Sequence, residues 1–201
     1  MTLNKILDIF KSKKPNPKHY IIAQLNDKLM PIDRGLVYSD PIDEYLISKS
    51  LGEVSGGGTL QSESGEIEYC ELEIELNNKP EEDLLIEIIN ILEALGAPKG
   101  SKLTIEGEDR QIPFGKKEGI GLYLNGISLD PKVYAENDIN VLFEELYEQL
   151  EIPRKVDRFW EGHGETALYF YGNNFEKMNQ VVTTMVKKHP LCEKARLAKI
   201  A

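Results

Sequence analysis

Residues 66–76 read EIEYCELEIEL, and residues 80–96 read PEEDLLIEIINILEALG. The first stretch alternates. From Cys70 onward Leu72, Ile74 and Leu76 share one side of an extended chain and Glu71, Glu73 and Glu75 the other, because successive side chains of a strand point to opposite faces. Ile67 and Tyr69 break that phase, which predicts a bulge near Tyr69 and Cys70. The second stretch changes period: Leu84, Leu85, Ile88, Ile89, Leu92 and Leu95 form one broad apolar helix face. Pro80 with Glu81, Glu82 and Asp83 opens this helix, and Gly96 and Pro98 close it. A strand with one apolar face followed by a helix with one apolar face must bury both against each other in layers.

Working outward, Tyr20–Leu25 reads as a strand, Pro41–Leu51 as a helix and Glu53–Gln61 as a strand. Asp40-Pro41-Ile42-Asp43-Glu44 supplies a helix start, Gly52 a stop, and Ser62–Gly65 the turn of a hairpin. With Ser101–Ile105 as a last strand, the order is βαββαβ. The same order recurs in Gly119–Leu124, Ile139–Leu150, Arg154–Trp160, Thr166–Tyr171, Phe175–Lys188 and Ala195–Ile200. The expected fold is therefore α+β: two tandem ferredoxin-like βαββαβ repeats, each an antiparallel sheet with helices on one face. The charged loop Glu106–Lys117 is the natural joint, giving an acidic repeat over 19–110 and a second repeat over 111–201. Residues 1–18 read as a short amphipathic N-terminal helix (Leu3, Ile6, Leu7, Phe10) and a stiff basic linker with Pro15 and Pro17. That helix either docks on the body of the chain or reaches a second subunit, so a homodimer is one expectation.

Three local features carry further expectations. Asn125-Gly126 signals a two-residue turn pairing Gly119–Leu124 with Ile127–Leu129. Gly56-Gly57-Gly58 reads as a bulged or bent edge strand, because a phosphate loop would need a following helix and usually a lysine. Ala167–Gly172 is apolar on both faces, as suits a central strand with helices on one side and the partner repeat or a second chain on the other.

The net charge of −10 is unevenly spread. Residues 1–18 sum to +4, residues 19–110 to −13 (7 basic, 20 acidic) and residues 111–201 to −1 (12 basic, 13 acidic). Such a field repels nucleic acid and anionic membrane and steers a basic partner to the first repeat. Leu122-Tyr123-Leu124-Asn125-Gly126 looks like the first-strand motif of an RNA-recognition module, but Thr166–Gly172 lacks the basic, glycine-punctuated third-strand counterpart. No apolar run approaches the roughly 20 residues that cross a bilayer, and Met1–Phe10 is too short and polar for a signal peptide, which predicts a cytoplasmic protein. Cys70 and Cys192 are then expected as two buried thiols.

No residue cluster announces a chemistry. His19, His163 and His189 lack ligand spacing, no nucleophile motif is present, and no acid stands alone among apolar neighbours, so neither catalysis nor a metal or other cofactor is expected. Binding is better supported. Three carboxylates on one strand face, roughly 7 Å apart by strand rise, read either as a solvated outer face or as a docking surface for a Lys/Arg-rich partner, and the −13 of the whole repeat weighs toward the second. Glu66, Glu68, Glu71, Glu73 and Glu75 are the candidate steering residues, and Tyr69 or Trp160 the candidate anchor, although Trp160 equally reads as a buried plug at the sheet end. The alternative is a small-molecule sensor of the kind that binds amino-acid-like effectors between βαββαβ units. There Asp33-Arg34-Gly35, in the loop after the first strand, would present Arg34 to a carboxylate.

Trp160-Glu161-Gly162, Glu165-Thr166-Ala167-Leu168-Tyr169-Phe170-Tyr171-Gly172, and Pro190-Leu191-Cys192 followed by Ala195-Arg196 carry a resemblance covering about a fifth of the chain. They are similar to a C-terminal segment of small bacterial proteins that resemble, in size and acidity, the immunity proteins of polymorphic-toxin systems. The resemblance implies a protein that neutralises a toxin by binding it, often over its active site. It implies no individual functional residue.

Overall fold

Strand β1 (His19–Leu25) sends Ile21, Ala23 and Leu25 inward and lies between β3 (Ile67–Leu76) and β4 (Ser101–Ile105). With β2 (Gly52–Gln61) outside β3 and β5 (Gln111–Phe114) outside β4, the antiparallel order is β2-β3-β1-β4-β5. The computed structural model describes residues 18–201, so the predicted N-terminal helix lies outside the described residues. Helices α1 (Asp40–Ser48) and α2 (Glu82–Leu95) cover one face of this sheet. Ile42, Leu46, Leu85, Ile88 and Leu92 meet Cys70, Leu72, Ile74, Leu76 and Leu103 in a fully buried layer. Each such aliphatic side chain contributes about 1.5–3 kcal/mol by leaving water.

The second unit repeats the plan. Strands β6 (Glu118–Asn125), β7 (Phe159–Glu161), β8 (Glu165–Gly172) and β9 (Arg196–Lys199) order as β7-β8-β6-β9, again antiparallel throughout. Numbered within each unit, both sheets run 2-3-1-4, the ferredoxin-like order, and β5 is an addition to the first. Helices α3 (Pro131–Glu136), α4 (Ile139–Leu150) and α5 (Phe175–Val186) complete the second unit. From these, Leu142, Phe143, Leu146, Met178, Val182 and Met185 pack on Ile120, Leu122, Leu168 and Phe170.

Two predicted irregularities of the first sheet are present. The β2–β3 register skips Ser55, beside the glycine triplet, and skips Glu68, just before Tyr69. The middle glycine has a steric cause: a Cβ on Gly57 would stand 2.2 Å from the Glu71 carbonyl oxygen and 3.2 Å from the guanidinium carbon of Arg34, whereas Gly56 and Gly58 have room for one. Cys70 and Cys192 are both buried free thiols.

Four expectations need correction. The boundary at residue 110 falls inside a hairpin, because Gln111–Phe114 pairs with β4; the first unit therefore runs to Phe114, and these four uncharged residues leave its charge unchanged. The helix expected to start at Asp40 is continuous with a turn at Pro31–Arg34 and a wider π-helical turn at Gly35–Ser39, so Asp33-Arg34-Gly35 is helical, not a loop. The wide turn has the Asp40 N–H donating to Gly35 O, five residues back, and it precedes Pro41, which has no N–H to continue a regular ladder. Ile127–Leu129 forms no strand, since β6 already has β8 and β9 on its two edges; the Asn125 side chain instead accepts the N–H groups of Ile127 and Ser128. The strand expected over Arg154–Trp160 shortens to β7, because Arg154 turns back onto Asp157 at 2.7 Å and Arg158 turns into the first unit.

Candidate functional site

The face of the first sheet opposite its helices carries the acidic stripe. The register lines it up in cross-strand rows. Lys102, Gln24, Glu71 and Gly58 form one; Thr104, Ile22, Glu73 and Gly56 the next; Tyr20, Glu75 and Glu53 the third; and Leu60 stands opposite Tyr69 at the far end. Glu53 and Glu73 are exposed, as is Leu60, while Glu71, Glu75, Ile22 and Gln24 are half-buried by one another. Tyr20 donates to Glu75 at 2.9 Å, and Lys18 pairs with it. Lys18 and that hydroxyl hold the Glu75 carboxyl below its ordinary value, against a smaller effect of burial. Ser55 donates to Glu73 at 2.8 Å. Glu53 and Glu75 are direct cross-strand partners, an arrangement of like charges that destabilises a ladder.

Other predicted site residues lie elsewhere. Glu68 is the extra residue of the bulge and is exposed. Glu66 points into the second unit, where its Oε1 accepts from the hydroxyls of Tyr123 at 2.7 Å and Tyr169 at 2.8 Å, with Lys28 Nζ at 3.5 Å. Trp160 donates its indole N–H to Ser64 O at 3.3 Å and packs beside Tyr123 and Tyr169. Its ring lies on Gly162, where a Cβ would stand 2.3 Å away. Glu66 and Trp160 thus serve the joint between the two units. Arg34 is held against β2, its Nη1 donating to Gly58 O at 2.7 Å, with Asp33 beside it on the same helical turn.

The joint has a second polar cluster that sequence reasoning missed. Asp27 is completely buried, and Arg158 forks onto it with Nε–Oδ1 at 2.7 Å and Nη2–Oδ2 at 2.9 Å. Tyr38 donates to Asp27 at 2.9 Å, and the Arg158 guanidinium lies 5.3 Å from the ring centre of Tyr171. The Tyr171 hydroxyl accepts from the Lys28 N–H at 3.2 Å and donates to Asn26 O at 3.4 Å. Burial opposes the Arg158 charge, but Asp27 outweighs burial and keeps the guanidinium above its ordinary value. Burial, then the Asp27 charge, pushes the Tyr38 and Tyr171 hydroxyls well up. Burial and Glu66 push Tyr123 up to about 12. Burial also opposes the Glu66 charge, but its tyrosine and lysine donors prevail and hold that carboxyl below the ordinary value. One apolar residue crosses as well: Val156, from the second unit, sits in the first unit's core. A signal for this joint existed in the doubly apolar strand β8, whose outward tyrosines required a cover. Nothing in the spacing singled out Asp27 or Arg158.

No helix among the described residues is long and apolar enough to cross a membrane, and no three of their His, Cys, Asp and Glu side chains group as metal ligands. Comparison of the chain with protein-family models and with curated proteins returns no match.

Proposed function

We propose that this protein binds a basic protein partner on the open face of its first sheet, and that it acts by occlusion, as an immunity protein covering a cationic toxin domain, with no catalytic step of its own. The observation that carries the reading is the stripe Glu53, Glu71, Glu73 and Glu75 on a sheet face that no helix of the described residues covers. A like-charged stripe lowers stability and steers a cationic surface, which associates faster and in a fixed register. Leu60, Tyr69 and Ile22 on the same face supply apolar contact within the acidic surround. Glu66 and Trp160 act indirectly, by holding the second unit as a rigid support. Arg34 donates to Gly58 O on the β2 backbone, which takes up the guanidinium that the small-molecule alternative centred on Asp33 and Arg34 would present to a carboxylate.

The test is capture of partners from a lysate by the intact chain and by a Glu71→Ala/Glu73→Ala/Glu75→Ala variant, followed by association kinetics with the captured protein. The expected result is a basic protein whose association slows in the variant and loses most of its salt dependence. Equal capture and equal kinetics would remove this face from the interface.

A further inference from the structure

A cleft runs along the joint on the side away from the acidic stripe. It has two adjoining chambers of about 390 and about 190 Å³, and both are lined by Lys117, Ile152, Pro153 and Tyr171. The larger chamber adds Asn173, Asn174 and Lys177 from the start of α5, and the smaller adds Lys155 and Arg158 and backs onto the end of α2. The larger chamber is built from the second unit alone, and the smaller one spans the joint, where Val37 and Ala94–Gly96 of the first unit complete it. Its charge is opposite to that of the molecule. Lys117, Lys155, Lys177 and Arg158 line it in a chain of net charge −10, and Glu151 is the one carboxylate on its lining among the described residues.

These cations are not all neutralised locally. Arg158 is committed to Asp27, but Lys117, Lys155 and Lys177 have no carboxylate within ion-pair distance among the described residues. Lys117 instead donates to the Asn173 side chain at 2.6 Å, which bridges the entrance from β6 to the start of α5. The nearby Glu118 is occupied by Lys99 and by the Phe175 N–H. Between the ammonium groups stand the apolar side chains Ile152, Pro153 and Met178 and the Tyr171 ring, interspersed with the polar Gln149, Asn173 and Asn174. A cleft of this size that combines apolar side chains with placed polar groups has the form of a small-molecule site. Several lysine point charges suit a phosphate, which carries about two negative charges near neutral pH, better than a singly charged carboxylate.

We propose that this cleft binds a small organic phosphate, with the phosphate among Lys117, Lys155 and Lys177 and an apolar or aromatic body between Pro153 and Tyr171. The site is separate from the acidic face, and neither reading depends on the other.

The test is thermal stability and calorimetry of the full chain with adenosine 5′-monophosphate, with adenosine and with inorganic phosphate. The expected result is saturable stabilisation by the monophosphate, weaker stabilisation by inorganic phosphate and none by adenosine. Lys155→Gln and Lys177→Gln both alter exposed side chains, so folding is retained, and together they should weaken monophosphate affinity at least tenfold. Lys132→Gln, on α3 away from the cleft, should leave it unchanged. Absence of saturable binding by either phosphate, or equal affinity in the paired Lys155/Lys177 variant and the Lys132 variant, would overturn the proposal.

Discussion

The two sheets share a strand order and differ in the face that turns away from their helices. In the first, that face is left uncovered by the described residues and carries Glu53, Glu71, Glu73 and Glu75. In the second it carries Tyr123, Ala167, Tyr169 and Tyr171, all less than a tenth exposed. The tyrosine face is covered by the first unit's Asn26–Lys28 turn and Ser62–Glu66 hairpin, through hydroxyl, indole and guanidinium bonds. One architecture thus yields a free surface and a fastened one. The deciding factor is which residues stand at the outward positions of a period-two pattern. Outward glutamates repel one another and stay in water; outward tyrosines bring large apolar area and a hydroxyl that needs a partner.

Breaking the fastened face should have the largest effect. Arg158→Met strands the buried Asp27 charge and should lower unfolding free energy in denaturant by about 3–5 kcal/mol. Adding Asp27→Leu should recover much of that loss. If the double variant were as unstable as the single one, the joint would not be held by this pair. Glu66→Gln should follow, at about 1.5–3 kcal/mol near neutral pH, the scale of hydrogen bonds to a charged group.

Its pH dependence sharpens the assignment. The folded Glu66 carboxyl lies below its ordinary value of 4.5. Its stabilisation is therefore complete above that value and disappears as pH falls through the folded value. The gap between wild type and Glu66→Gln should close on acidification below pH 4.5; a gap constant with pH would assign the effect to packing alone. Trp160→Phe removes the indole N–H bond to Ser64 and should cost about 1 kcal/mol by thermal unfolding. A loss no greater than that of an exposed surface change would place Trp160 outside the joint's energetics. The smallest effect belongs to the open face: Glu71→Gln with Glu73→Gln should move stability by within about 0.5 kcal/mol. A large destabilisation there would mean that the stripe is structural.

Much of this architecture was legible in the chain. The Cys70–Leu76 alternation and the Leu84–Leu95 helix face survive unchanged, and Ile139–Leu150 and Ser101–Ile105 have the predicted limits. Local periodicity and punctuation suffice for such elements, because each must bury one face whatever its neighbours are. The misreadings sit where a neighbour intervenes. Asn125-Gly126 is a sound hairpin signal, yet β9 arrives from seventy residues away to take the edge it would have used.

The stripe of glutamates likewise followed from the sequence alone, as did the pairing of one strand order with two different outward faces. Only the tertiary structure decided that Glu66 leaves the stripe, that Trp160 plugs a joint and that Asp27 and Arg158, 131 residues apart, form one buried pair. Strand periodicity assigns a side chain to a face, but it carries no information about what stands opposite that face. The partner of a buried charge is set by how two complete units pack, which no window of the chain contains.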